Sequence, residues 1–223
     1  MNKLYYFTRN INRSILLLIF VFASSITHKG MAQSVEITTS YGYQFGSKLS
    51  YGPNYLKIDD SGQWGVTIGF ETFDDTMIEI SYTHQGTTLN IRDVVLSPSE
   101  GRLADVSGDW IMLGGTRYFP NGKIRPFAGG ALGIVILSPS NENRNIINGS
   151  FSNETKFAFS FKAGVNFMFS ETIGLNLQGN LMFPVNWGGV YVGGGSGGIS
   201  AGAGFSSTTL IGGFSGGLVF KIK

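Results

Sequence analysis

The sequence predicts an all-β fold: an eight-stranded antiparallel up-and-down transmembrane β-barrel. Three observations predict it. Side chains alternate with a two-residue period over successive segments, short and long links alternate between those segments, and the outward phase is too apolar for water. Charged residues make up 13% of the chain and aromatics another 13%, whereas a water-soluble domain carries about 25% charged residues. A length of 223 residues suits one domain of this class.

The first 32 residues read as a targeting segment. Lys3, Arg9 and Arg13 form a positive start without acids, and Ile15 to Ala23 form an apolar core. Gly30 and Ala32 are small residues at the −3 and −1 positions of a cut before Gln33, which is secretory signal grammar. The apolar core is shorter than the roughly 20 residues a spanning helix needs. The expected division is a cleaved signal peptide, 1–32, and a barrel domain, 33–223. Four of the 16 basic residues leave with the signal, so 12 remain against 14 acidic ones, a net charge of −2. No basic patch remains to bind nucleic acid. The absence of cysteine excludes disulfides, thiolate metal sites, a Cys nucleophile and a lipoprotein anchor.

Successive residues of a strand point to opposite faces. In the first strand, Val35, Ile37, Thr39, Tyr41, Tyr43 and Phe45 oppose Glu36, Thr38, Ser40, Gly42 and Gln44. The second sets Trp64, Val66, Ile68 and Phe70 against Gly65, Thr67, Gly69 and Glu71. After Asp74-Asp75, the third sets Ile78, Ile80 and Tyr82 against Glu79, Ser81 and Thr83. In the fourth, Trp110, Met112 and Tyr118 are assigned outward, with Asp109 and Arg117 on the other face. The turn Pro120-Asn121-Gly122-Lys123 combines a preset proline φ with an Asn-Gly step that favours positive φ. The fifth strand, Ile124 to Leu137, is apolar on both faces and has no evident phase. The sixth sets Phe157, Phe159, Phe161, Val165 and Phe167 against Ala158, Ser160, Lys162, Gly164 and Asn166. The seventh sets Ile173, Leu175, Leu177 and Leu181 against Asn176, Gln178 and Asn180, and the eighth sets Phe214, Leu218, Phe220 and Ile222 against Ser215 and Lys221.

Links at 72–76, 120–123 and 170–172 are short, and those at 48–62, 86–108, 138–155 and 184–207 are expected as long loops. This asymmetry is that of membrane barrels, with short periplasmic turns and longer outer loops. Tyr41, Tyr43, Trp64, Tyr82, Trp110 and Tyr118 are expected outward as an aromatic girdle at the headgroup level.

Glu36, Glu71, Glu79, Arg117, Lys162 and Lys221 fall on the inward phase. An eight-stranded bore is only wide enough for side chains, and buried charges must pair. They are expected to form an ion-pair network that plugs the lumen. Leu137, Val185, Trp187, Val190 and Tyr191 could instead line a mouth for a small hydrophobic ligand. No catalytic or metal constellation stands out. His84 is the one histidine of the segment 33–223 and has no partner serine at a telling spacing. Gly193, Gly195 and Gly198 match a dinucleotide-binding spacing without its strand-to-helix context. No cofactor and no enzymatic activity are expected.

Three segments carry a resemblance: Gly30-Met31-Ala32-Gln33, Arg117-Tyr118-Phe119-Pro120, and Arg125-Pro126-Phe127-Ala128-Gly129-Gly130. With the last strand Gly212 to Phe220, they resemble the small outer-membrane β-barrel proteins of Bacteroidota, loosely similar to the OmpA, OmpX and OmpW types. The ending Lys221-Ile222-Lys223 departs from the usual terminal aromatic. The resemblance implies a location in the outer membrane. Its implied partners are membrane lipid, the barrel assembly machinery during insertion and other envelope proteins. The expected role is structural or interactive through the outer loops, with porin-like transport as the alternative.

Overall fold

The computed structural model describes residues 34–72, 75–95, 97–146, 151–195, 198–206 and 210–222, with backbone alone for 186–195 and 198–206. The predicted signal peptide lies outside the described residues. Among the described residues eleven strands follow one another: β1 (Val35–Gln44), β2 (Ser47–Tyr51), β3 (Asn54–Ile58), β4 (Ser61–Glu71), β5 (Thr76–Asp93), β6 (Ser97–Tyr118), β7 (Ile124–Ser140), β8 (Glu154–Met168), β9 (Ile173–Gly195), β10 (Gly198–Ser206) and β11 (Ile211–Ile222).

Eight of them close a ring in the order β1, β4, β5, β6, β7, β8, β9, β11 and back to β1, every pair antiparallel. These are the eight strands that the alternation predicts. Closure removes the sheet edges, so each ring strand finds two hydrogen-bonding neighbours. Adjacent strands join through short turns at one end. Gly122 sits at φ 61° in the β6–β7 turn, where glycine accepts the left-handed conformation without a Cβ penalty.

The opposite end departs from expectation. The segments 48–62, 86–108 and 184–207, expected as loops, are largely strand. β5 and β6 continue past the ring as a paired hairpin up to Asp93 and Ser97. The hairpin β2–β3 lies against the extension of β5, and β10 pairs with the extension of β9. Segments such as Thr87 to Arg92 keep the two-residue alternation, but their polar content reads as loop when no apolar face is demanded. Backbone pairing holds them as strands.

Side-chain direction follows the predicted phase in β1, β4, β5, β8, β9 and β11. The outward face is apolar and exposed: Ile80 at 54%, Leu113 at 53%, Phe161 at 57% and Phe214 at 55%. In β6 the phase is inverted. Trp110 is 1% exposed, and Met112 and Tyr118 are also buried, so all three point inward. Directly paired residues share a face. Ile80, Leu113 and Leu132 pair in series, as do Tyr82, Ile111 and Ile134. Placing Ile111 and Leu113 in those outward rows sends Trp110 and Tyr118 into the lumen. Neither belongs to a girdle, and Arg117 is exposed on the outer face rather than inside.

Candidate functional site

The lumen gathers buried charged and polar side chains in layers. Near the turn end, Lys221 Nζ lies 3.3 Å from Glu71 Oε2, which also accepts from the Ser34 hydroxyl. The next layer centres on Glu36 from β1. Arg125 Nη1 from β7 donates to Glu36 Oε2 at 2.7 Å. Asn166 Nδ2 from β8 donates to Glu36 Oε1 at 3.1 Å, and the Tyr118 hydroxyl donates to the same oxygen. Asn176 from β9 extends the chain, donating to Asn166 Oδ1 at 2.6 Å. The Arg125 guanidinium stacks over the Tyr118 ring, 4.1 Å from its centroid. The Glu36 side chain is 2% exposed and that of Arg125 12%. A pair so desolvated holds only because further donors meet the carboxylate's remaining lone pairs.

Above this layer, Lys162 Nζ lies 2.5 Å from Glu79 Oε2, which also accepts from the Thr116 hydroxyl at 2.7 Å. The neighbouring wall at Gly69 leaves room beside the Glu79 side chain. At Gly69 a Cβ would stand 3.3 Å from Glu79 Cγ and from Met77 Cε. Beside the pair lies a cavity of about 60 Å³ lined by Ser40, Thr67, Ser81, Thr83, Ser160 and Asn180 among others. That is room for a few waters among these hydroxyls and amides.

Toward the hairpin end the filling becomes apolar. Trp110, Met112, Val135, Ala158, Met182 and Ile211 form one buried cluster, with Leu137 packed against it. Gln44 shares this level, its amide 3.6 Å from Met182 Sδ, while Gln44 Oε1 and Trp110 Nε1 are buried without partners. The lumen therefore carries a charge-centred layer toward one end and an apolar layer toward the other.

Of the residues expected in the lumen network, the structure brings Glu79 to Lys162 and Glu71 to Lys221, and places Glu36 at the centre of a third group. Arg117 takes no part. Arg125, Tyr118, Asn166 and Asn176 complete the Glu36 layer and were not anticipated as members. Arg125 was hidden because β7 is apolar on both faces. One signal was available: it is the only charged residue of that strand. Of the proposed mouth residues, Leu137 packs on the Trp110 cluster and Val185 is buried. The side chains of Trp187, Val190 and Tyr191 lie outside the described residues.

Tyr41, Tyr43, Trp64 and Tyr82 face outward on the adjacent strands β1, β4 and β5. His84 belongs to this outer surface. Its Nδ1 lies 2.8 Å from Asp109 Oδ1, which also accepts from the Tyr82 hydroxyl at 2.6 Å, and the Trp64 ring lies 5.7 Å from the imidazole. Among the described residues no serine is hydrogen-bonded to His84, and no group of three metal-ligating side chains occurs.

No protein-family model matches the chain, and no curated protein sequence does. Solved structures do. The chain is similar in fold to the outer membrane protein OprG from Pseudomonas aeruginosa, with a TM-score of 0.60 at 14% identity, over 86% of this chain and 96% of that one. It is also similar to neisserial surface protein A, with a TM-score of 0.54 at 14% identity, over 85% and 97% of the two chains. At such identities the likeness is one of architecture: a small eight-stranded barrel.

Proposed function

We propose that this chain is an integral outer-membrane barrel whose lumen is a stopper rather than a channel, and which acts through the strands that rise from its hairpin end. The observation that carries the reading is the set of fully buried side chains that project into the lumen at two levels. Glu36, Asn166 and Asn176 are at most 3% exposed at one level, and Trp110 and Val135 at most 1% at another. Membrane insertion is supported by the outward belt of Ile80, Leu113, Leu132, Phe161 and Phe214, which a protein in water would have to cover. Closed barrels satisfy every backbone hydrogen bond in lipid, so such a belt can sit there. The name of OprG as an outer membrane protein points to the same location. The segment 1–32 would direct export and be removed, and the assembly machinery and envelope lipid would be its partners on the way. The sequence pattern resembles that of small Bacteroidota barrels.

The test is electrical. Refolded protein should migrate differently on a gel with and without boiling, as a closed barrel does, and should show no stepwise conductance in a planar bilayer. Regular single-channel steps would overturn the stopper reading. A second reading, transport of a small or hydrophobic solute, starts from the apolar Leu137 and Val185 at the hairpin end. It predicts that deletion of 186–206 abolishes uptake of such a solute while leaving the envelope intact.

A further inference from the structure

Beyond the ring, β2, β3 and the extensions of β5 and β6 form a four-stranded sheet, and β2 is its last strand. Among the described residues β2 pairs with β3 alone, and Lys48, Leu49, Ser50 and Tyr51 are all exposed. Tyr51 pairs with Asn54 across a two-residue link, which makes it the hydrogen-bonded closing pair of the hairpin. Antiparallel alternation then directs the backbone N–H and C=O of Lys48 and Ser50 to the open edge. Proteins blunt such edges with proline, bulges or guarding charges. β2 contains no proline, and its register with β3 is unbroken. Its one charge does not guard the edge: Lys48 Nζ folds back over the Tyr55 ring, 3.7 Å from the centroid.

The two faces of this sheet specify what would fit. On one, Lys48, Lys57, Asn90 and Arg102 pair in series across four strands. Lys57 is matched by Asp59 at 2.9 Å and Glu100 at 3.8 Å, and Arg102 by Asp105. Lys48 has no acidic partner among the described residues, and it sits directly opposite another lysine, an unfavourable pairing. On the other face, Leu49, Leu56 and Ile91 form an apolar row. That row is sealed at Ile91, 6% exposed, and unfinished at Leu49, 51% exposed.

We propose that the open edge of β2 is a docking strand for an extended segment of a partner protein, with an acidic residue beside Lys48 and an apolar residue beside Leu49. The added strand would supply the missing hydrogen bonds, extend the apolar row and neutralise the lysine pair. This is recognition by strand addition, in which backbone bonds give affinity and alternate side chains give specificity. The inference rests on the interaction reading above and names its surface.

The probe is a fluorescein-labelled peptide Thr-Val-Glu-Val-Thr, with a twin carrying lysine in place of glutamate, titrated by anisotropy onto the full chain refolded in detergent. The glutamate peptide should bind saturably and at least tenfold more tightly than its twin. Ser50→Pro, which removes a donor from the open edge, should weaken binding at least tenfold. Lys48→Glu should reverse the preference between the peptides. Gel mobility with and without boiling certifies that each variant has folded, and Lys48→Glu decides the matter if Ser50→Pro does not fold. Absent binding, equal affinity for the twins, or indifference to the variants overturns the edge assignment. Bilayer conductance of the same samples separates the two readings: a silent barrel that ignores the peptides loses only the docking edge, whereas a conducting one loses the stopper.

Discussion

The two ends of the lumen solve the same problem with opposite chemistry. At the turn end, Glu36, Arg125, Tyr118, Asn166 and Asn176 fill the bore with a charge-centred network. At the hairpin end, Trp110, Met112, Val135, Ala158, Met182 and Ile211 fill it like the core of a soluble protein. The same ring strands run through both, so neither filling is forced by the wall. The charged end is stable only while every member is present, because one lost partner leaves a buried charge. The apolar end fails by degrees, through cavities. A barrel with one brittle plug and one compliant plug gives mutations at the two ends different signatures.

The largest effect should follow Glu36→Leu, which strands the Arg125 guanidinium and should cost about 3–5 kcal/mol. Denaturant unfolding of the refolded barrel measures it. The double variant Glu36→Leu with Arg125→Met should recover most of the loss, since an apolar replacement of a whole buried pair is often neutral. Trp110→Ala should cost about 3–4 kcal/mol through its cavity, and no second substitution of a polar neighbour should rescue it. If both ends respond alike to rescue, the distinction between them is wrong. Lys162→Met, at the level between the ends, should cost about 1–3 kcal/mol by leaving Glu79 without its cation, and should open no conductance. Arg117→Met should stay within about 0.5 kcal/mol, as expected of an exposed position. A large loss there would return Arg117 to the lumen.

Acid should separate the hairpin sheet from the ring. A hydrogen bond from Asn141 and the nearby Arg102 hold the Asp105 carboxyl below the usual carboxylate range. Lys57, then Asn90, do the same for Asp59. Carboxyls depressed in the folded state stabilise it above their ordinary range and lose that contribution as pH falls through the lowered values. Protection factors of the amides in 97–104, corrected for the intrinsic rate at each pH, should therefore fall below about pH 4, while amides at the middle of β1 and β11 remain protected. Uniform exchange across both regions would show that the outer sheet opens only with the barrel.

The eight ring strands, their order and the short turns were legible because a half-buried strand writes its two faces into alternate residues. Glu36, Lys162 and Asn166 could be placed inward by phase alone, each being polar among outward Ile, Phe and Val. β6 and β7 could not be read this way. In β6 both faces are apolar, so Trp110 and Tyr118 looked like headgroup aromatics, and Arg117 looked like a lumen charge. In β7 the single charge marks Arg125 as unusual, but its pairing with Glu36, 89 residues away, depends on the closed ring.

By itself, then, the sequence determined that this chain makes a closed apolar-faced barrel, because alternation and composition are local properties of each strand. Only the tertiary structure decided which face of β6 and β7 turns inward, which cation meets which carboxylate, and that three expected loops rise as paired strands. Those outcomes depend on cross-strand register. Register brings Leu113 beside Ile80 and Leu132, and carries Tyr118 and Arg125 across the bore to Glu36, contacts that no single strand encodes.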